Sequence, residues 1–202
     1  MWNVPKTPIK ISPFFFFLIV LFILLGDSTL LLALGVAGTI HELAHLLLID
    51  ATGGTIKQFN FTPLGAEMET GGEISYGREA LATAAGPLSN LLCALLLSLL
   101  GKRWEGVYLF AGAQAILGIF NLLPMTALDG GSLLWICVAV LSDPYRADRI
   151  CAVTGFITAS LLLAGCLWLM NFTKSIFPLL AAIVLFVQAG REIGLVKRKR
   201  KR

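Results

Sequence analysis

Long apolar stretches dominate this chain, and its polar residues fall mostly between them. Six stretches (11–26, 28–49, 80–100, 106–123, 150–170 and 175–188) predict membrane-spanning helices. A helix needs roughly 17–25 mainly apolar residues to cross a hydrocarbon core about 30 Å thick. The first stretch is short. A further apolar piece, 132–141, is too short to span and reads as a half-helix or re-entrant segment. Gly26, Asp27 and Ser28 break the first two stretches apart and predict a helical hairpin, with Asp27 or Ser28 capping its second arm. The run Phe14 to Phe17 reads as lipid-facing bulk. The loop 51–79 carries a different period. Along 55–62, Lys57, Phe59 and Phe61 alternate with Ile56, Gln58 and Asn60, which predicts a strand paired in a hairpin with 68–75. The expected fold class is an all-α polytopic membrane protein with about six transmembrane helices and a small β-hairpin after the second.

Composition agrees. The 202 residues are 57% hydrophobic and only 14% charged, against about 25% charged in soluble domains. The mean hydropathy is +0.83. An ordinary soluble globule, a disordered chain and a disulfide-built module are all excluded. One domain over 1–202 is expected, with a core at 28–141, peripheral helices at 11–26, 150–170 and 175–188, and a basic tail at 191–202. The net charge of +4 suggests nucleic acid until the charges are placed. Thirteen of the 16 Lys and Arg residues fall on the side of the N-terminus, and three (Lys102, Arg103 and Lys174) on the other. That bias puts both termini and the 51–79 loop in the cytoplasm. The tail then reads as a topology anchor that attracts anionic lipid headgroups, not nucleic acid. Cys93, Cys137, Cys151 and Cys166 form no C-x-x-C pair and read as small buried hydrophobes. No A-x-A-like site follows Lys6 and Lys10, so no cleavable signal is expected.

Two acidic groups lie within the apolar segments or their irregular continuation, Glu42 and Asp129, and the chain's two histidines, His41 and His45, flank the first. Ionisable groups at membrane depth cost several kcal/mol, so three within five residues point to function. Residues i and i+4 share a helix face, which lets His41 and His45 aim at one point with Glu42 beside them. This H-E-x-x-H spacing suits two zinc ligands and a general base. Catalytic zinc usually takes three protein ligands. Asp129 is the natural third, in a segment where Pro124 interrupts a helix and Gly130 and Gly131 loosen the backbone. The second and fourth stretches run in the same direction, so all three ligands reach one leaflet. The competing readings are core histidines bonded to backbone and an Asp that closes a turn.

H-E-x-x-H at 41–45, G-P-x-x-N at 86–90 and N-x-x-P-x-x-x-x-D-G-G at 121–131 together resemble the site-2 proteases, a family of intramembrane zinc metalloproteases. The resemblance covers roughly 28–141. The six-span plan is similar to the branch of the bacterial sporulation protease that processes a sigma-factor precursor, but without the CBS domain that branch often carries. The resemblance implies an integral protein of the bacterial cytoplasmic membrane with one Zn2+ per chain. His41, His45 and Asp129 would hold the metal, and Glu42 would act as base. The substrate would be a membrane-tethered protein cut in or near a transmembrane segment, a transcription factor precursor among the candidates. Asn121 would donate to an oxyanion or else bond a neighbouring helix. Gly86, Pro87 and Asn90 would shape the cleft or else allow close helix packing. Ser89 and Gln114 read as polar glue between helices. The strand with Lys57, Phe59 and Phe61 would pair with substrate or else lie along the membrane. A zinc transporter and a non-catalytic scaffold are the alternative classes, and the oligomeric state is left open. No polar ladder leads away from the site, which disfavours transport.

Overall fold

The computed structural model describes residues 9–11, 28–62, 65–71, 75–101, 106–173 and 177–199. They form β1 (Ile9–Ile11), α1 (Ser28–Ala51), β2 (Thr55–Thr62), β3 (Gly65–Gly71), α2 (Tyr76–Gly101), α3 (Val107–Asn121), α4 (Asp129–Leu141), α5 (Pro144–Thr173) and α6 (Phe177–Lys199). Among the described residues, four helices are long and apolar enough to cross a membrane: Ser28–Ala51, Tyr76–Gly101, Pro144–Phe172 and Pro178–Val196. Many of their leucines turn outward, with Leu47, Leu92 and Leu161 at 59%, 57% and 69% exposure. Such surfaces suit lipid, and the chain is an integral membrane protein.

Several expected boundaries move. The stretch 106–123 yields α3, 15 residues long, which spans about 22 Å at 1.5 Å per residue. α4 begins at Asp129, three residues before the expected half-helix. α6 runs on through the basic segment to Lys199, so 191–199 continues the helix and is not a separate tail. The expected span 11–26 lies outside the described residues, apart from Ile11.

The chain divides into two compact units, Met1–Phe120 and Asn121–Arg202. In the first, α1 buries one stripe of every fourth residue: Ala33, Ala37, His41, His45 and Ile49. Ala33 and Ala37 meet Ala113 of α3, with Leu34, Phe110 and Leu117 around them. Small residues let helix backbones approach where lipid gives no hydrophobic drive for association. Gly53, at φ 76°, turns the chain out of α1. The strands order β1-β2-β3. β2 pairs antiparallel with β3, Phe59 opposite Met68 and Phe61 opposite Ala66, with a register shift between Ile56 and Gln58. β1 pairs parallel to β2, Ile9 opposite Phe59 and Ile11 opposite Phe61.

In the second unit, α5 presents a buried stripe of Ala147, Cys151, Gly155 and Ala159. α5 packs on α4 and α6. Phe156 and Phe186 stack at 5.2 Å, and Leu185 is fully buried. Trp135 Nε1 donates to Asp148 Oδ1 at 2.9 Å, tying α4 to the start of α5.

Candidate metal centre

His41 and His45 lie on the buried stripe of α1, one turn apart. Their rings meet edge to face with centroids 4.7 Å apart. His45 Nδ1 lies 2.8 Å from the Ala82 carbonyl. A carbonyl only accepts, so this nitrogen carries the proton and donates. Pro87, buried in mid-α2, removes the N–H that would bond the Thr83 carbonyl and crowds that turn; Ala82 lies in the same turn. His41 Nδ1 lies 2.7 Å from Asn90 Oδ1. Asn90 Nδ2 donates to the Ala37 carbonyl at 3.0 Å and to Gln114 Oε1. The Ala37 carbonyl must face a donor, which fixes the Asn90 amide with its oxygen toward His41. His41 Nδ1 therefore donates as well.

With both protons on Nδ1, the lone pair of each ring lies on Nε2, the atom that would ligate a cation. The two Nε2 atoms stand 3.1 Å apart. Nitrogens at 2.0–2.1 Å from one tetrahedral ion stand about 3.3 Å apart. The pair thus has the spacing and the tautomers of two ligands on one divalent cation, and a cation relieves the repulsion between the facing lone pairs. Imidazoles whose other nitrogen donates to a carbonyl or an amide are the usual ligand arrangement.

Gly86 is part of this geometry. A Cβ on it would lie 2.3 Å from His45 Nε2 and 2.8 Å from His41 Cε1. The backbone of α2 packs directly against both imidazoles, so the packing reading and the site reading of Gly86 are one. Glu42 is partly buried beside His41 on α1.

Asp129 belongs to the second unit. It opens α4 straight after a tight turn in which Met125 N donates to Leu123 O and Leu128 N to Met125 O, both at 2.8 Å. The turn folds back so closely that a Cβ at Gly130 would lie 2.2 Å from the Leu122 carbonyl oxygen, and one at Gly131 2.0 Å from that of Met125. The two glycines are dictated by this turn. Asn121 ends α3 and is partly buried. The structure gathers His41, His45, Gly86 and Asn90 in one place. Lys57, Phe59 and Phe61 lie elsewhere, on β2, which is the middle strand, not an edge. Phe59 and Phe61 are paired on both sides, and Lys57 falls at the register shift, where the simple alternation that groups it with them breaks. Sequence reasoning misses the Ala82 carbonyl and Gln114 as partners of this cluster. The one signal for Gln114 is an amide inside an apolar helix.

No model of a known protein family matches the chain. Over 154 residues it is 32% identical to the putative zinc metalloprotease Rip3 of Mycobacterium tuberculosis, covering 69% of this chain and 38% of Rip3. Over 186 residues it is 30% identical to stage IV sporulation protein FB of Bacillus subtilis, covering 89% of this chain and 62% of that protein. The chain thus spans between 38% and 62% of the length of these relatives. Its fold matches the site-2 protease structure from Methanocaldococcus jannaschii with a TM-score of 0.72, at 23% identity over 96% of this chain and 94% of the other. The fold is the one seen in that site-2 protease structure. These likenesses in sequence and fold support a place in the site-2 protease family.

Proposed function

We propose that the protein is an intramembrane zinc metalloprotease that hydrolyses a peptide bond in or near a transmembrane segment of a membrane-tethered protein. The observation that carries this reading is the pair of buried imidazoles on a membrane-spanning helix, each with Nδ1 against an oxygen acceptor and with Nε2 atoms 3.1 Å apart. The names of Rip3 and of the site-2 protease structure support it.

His41, His45 and Asp129 would hold one zinc ion, two neutral nitrogens and a carboxylate of the kind catalytic zinc sites use. When bound, zinc supplies Lewis-acid polarisation of a carbonyl and lowers the pKa of water toward about 7. Glu42 accepts a proton from the attacking water and delivers it to the leaving amide nitrogen, so that one water and one peptide bond give a carboxylate and an amine. Asn121 offers an amide N–H to the carbonyl oxygen as charge builds there. A substrate helix has its carbonyls bonded internally and must unwind before attack. The segment 55–71 is a cytoplasmic hairpin in this reading, and it guides the unwound backbone. Its described sheet has β1 and β3 as edges, so a substrate strand adds to one of those and not to β2. The termini face the cytoplasm, and the basic segment that ends the chain is drawn to anionic headgroups. A transcription factor precursor is one substrate of the expected kind.

The test is cleavage of a panel of membrane-tethered reporters by the purified protein in liposomes, with zinc flux followed in parallel. Product from wild type and none from Glu42→Gln is expected. Zinc transport without product, or equal product from both proteins, overturns the proposal.

A further inference from the structure

The polar chain that starts at the histidines ends on a residue that belongs to none of the motifs above. We propose that Gln114 of α3 is a positioning residue for the metal centre: through Asn90 it holds the His41 proton on Nδ1 and so keeps the Nε2 lone pair directed to the ion. This rests on the zinc reading of the site.

A primary amide offers two N–H donors and one carbonyl acceptor. Asn90 is 0% exposed and has all three in use. Its Nδ2 donates to the Ala37 carbonyl and to Gln114 Oε1, and its Oδ1 accepts from His41. Gln114 is 1% exposed, so water does not replace it. If its oxygen is removed, one Asn90 N–H loses its acceptor in a dry interior, where an unmet donor is strongly disfavoured. The Ala37 carbonyl alone then opposes rotation of the amide, one hold on its orientation where there were two. Any orientation that turns Nδ2 toward His41 forces Nδ1 to accept. The His41 proton then moves to Nε2, and the ring no longer ligates through that atom. α3 itself brings no imidazole to the site, yet it is held close. Ala113, next to Gln114, packs on Ala33 and Ala37, and one turn on, a Cβ at Gly118 would lie 3.1 Å from the Pro87 carbonyl. Gln114 therefore sits at the junction of α1, α2 and α3. Its Oε1 accepts from the amide that sets a ligand's tautomer.

The test uses the full chain with Gln114→Leu, which keeps the bulk without the acceptor, and Gln114→Glu, whose neutral acid still accepts through its carbonyl oxygen. The chain has two histidines, so 15N spectra of the metal-free protein report each ring's tautomer directly. Zinc affinity is read by chelator competition. Wild type is expected to show both rings protonated on Nδ1. Gln114→Leu is expected to shift His41 toward the Nε2–H form while His45 stays unchanged, and to weaken zinc binding about tenfold or more, as for other outer partners of metal ligands. Gln114→Glu should restore both. Gln114→Ser replaces the leucine variant if that one does not fold. A folded Gln114→Leu with the His41 proton still on Nδ1 overturns the proposal, and so does equal weakening in both variants without a tautomer change. If wild type shows the Nδ1 tautomers but binds no zinc, the zinc reading fails, while the tautomer comparison still decides the role of Gln114.

Discussion

Adding a single methyl group at Gly86 tests how tightly the helices define the site. The new Cβ of Gly86→Ala would stand 2.3 Å from His45 Nε2, 2.7 Å from His45 Cε1 and 2.8 Å from His41 Cε1. Ordinary contact begins at 3.4 Å, so His45 Nε2 must retreat by 3.4 − 2.3, or about 1.1 Å, or the α1–α2 packing must open by as much. Metal–ligand distances tolerate about 0.2 Å, so the required shift is roughly fivefold too large for His45 to remain a ligand. Removing an outer partner of a ligand weakens metal binding about 10–100-fold; displacing a ligand should exceed the upper end of that range. The fold should survive, because overpacking at one site typically costs about 1–3 kcal/mol. The assay is chelator competition for zinc on the purified protein, with thermal unfolding of the metal-free form alongside. Gly112→Ala is the control, since a Cβ there meets nothing within 4 Å, and it should bind zinc as wild type does. If Gly86→Ala binds zinc with wild-type affinity, the placement of the imidazoles against α2 is wrong.

Other expectations follow from the same geometry. Glu42→Gln should keep zinc, measured by metal content, and lose activity by at least the roughly 10²–10⁴-fold that a general base contributes. His45→Ala should lose both zinc and activity, which separates a ligand from a base. Gly131→Ala puts a Cβ 2.0 Å from the Met125 carbonyl oxygen; backbone cannot yield as a side chain does, so stability should fall by about 1–3 kcal/mol in thermal unfolding, and activity with it. Chelation should abolish cleavage by the wild-type protein and added zinc should restore it; activity that persists in excess chelator argues against a metal-dependent reaction.

The metal-helix motif is legible in the sequence because its signal is local. Two imidazoles and a carboxylate at 41, 42 and 45 stand out in an apolar run, and the spacing of a helix face does the rest. The second half of the cluster is not legible in the same way. Asn90 and Gly86 meet His41 and His45 only because α2 runs beside α1 at matching depth, and no local period encodes which helices are neighbours. The end of α3 is hidden for a similar reason. Leu122 and Leu123 are apolar enough to extend a span, but the tight turn ahead of Asp129 ends the helix before them. Hydropathy cuts α6 short, because it falls at Arg191 although nothing there breaks a helix. At β2, alternation predicts the strand but misses the register shift at Lys57. It also misses the partner strand β1, whose Ile9 lies opposite Phe59, a long-range pairing that no local pattern announces.

In the proposed reaction one zinc ion is held jointly by the histidines of α1 and the carboxylate that opens α4. The most direct measurement is the zinc content of the purified wild-type protein beside Asp129→Ala. One zinc per chain in the first and little or none in the second is the predicted result. Full zinc content in Asp129→Ala, or none in wild type, would contradict it.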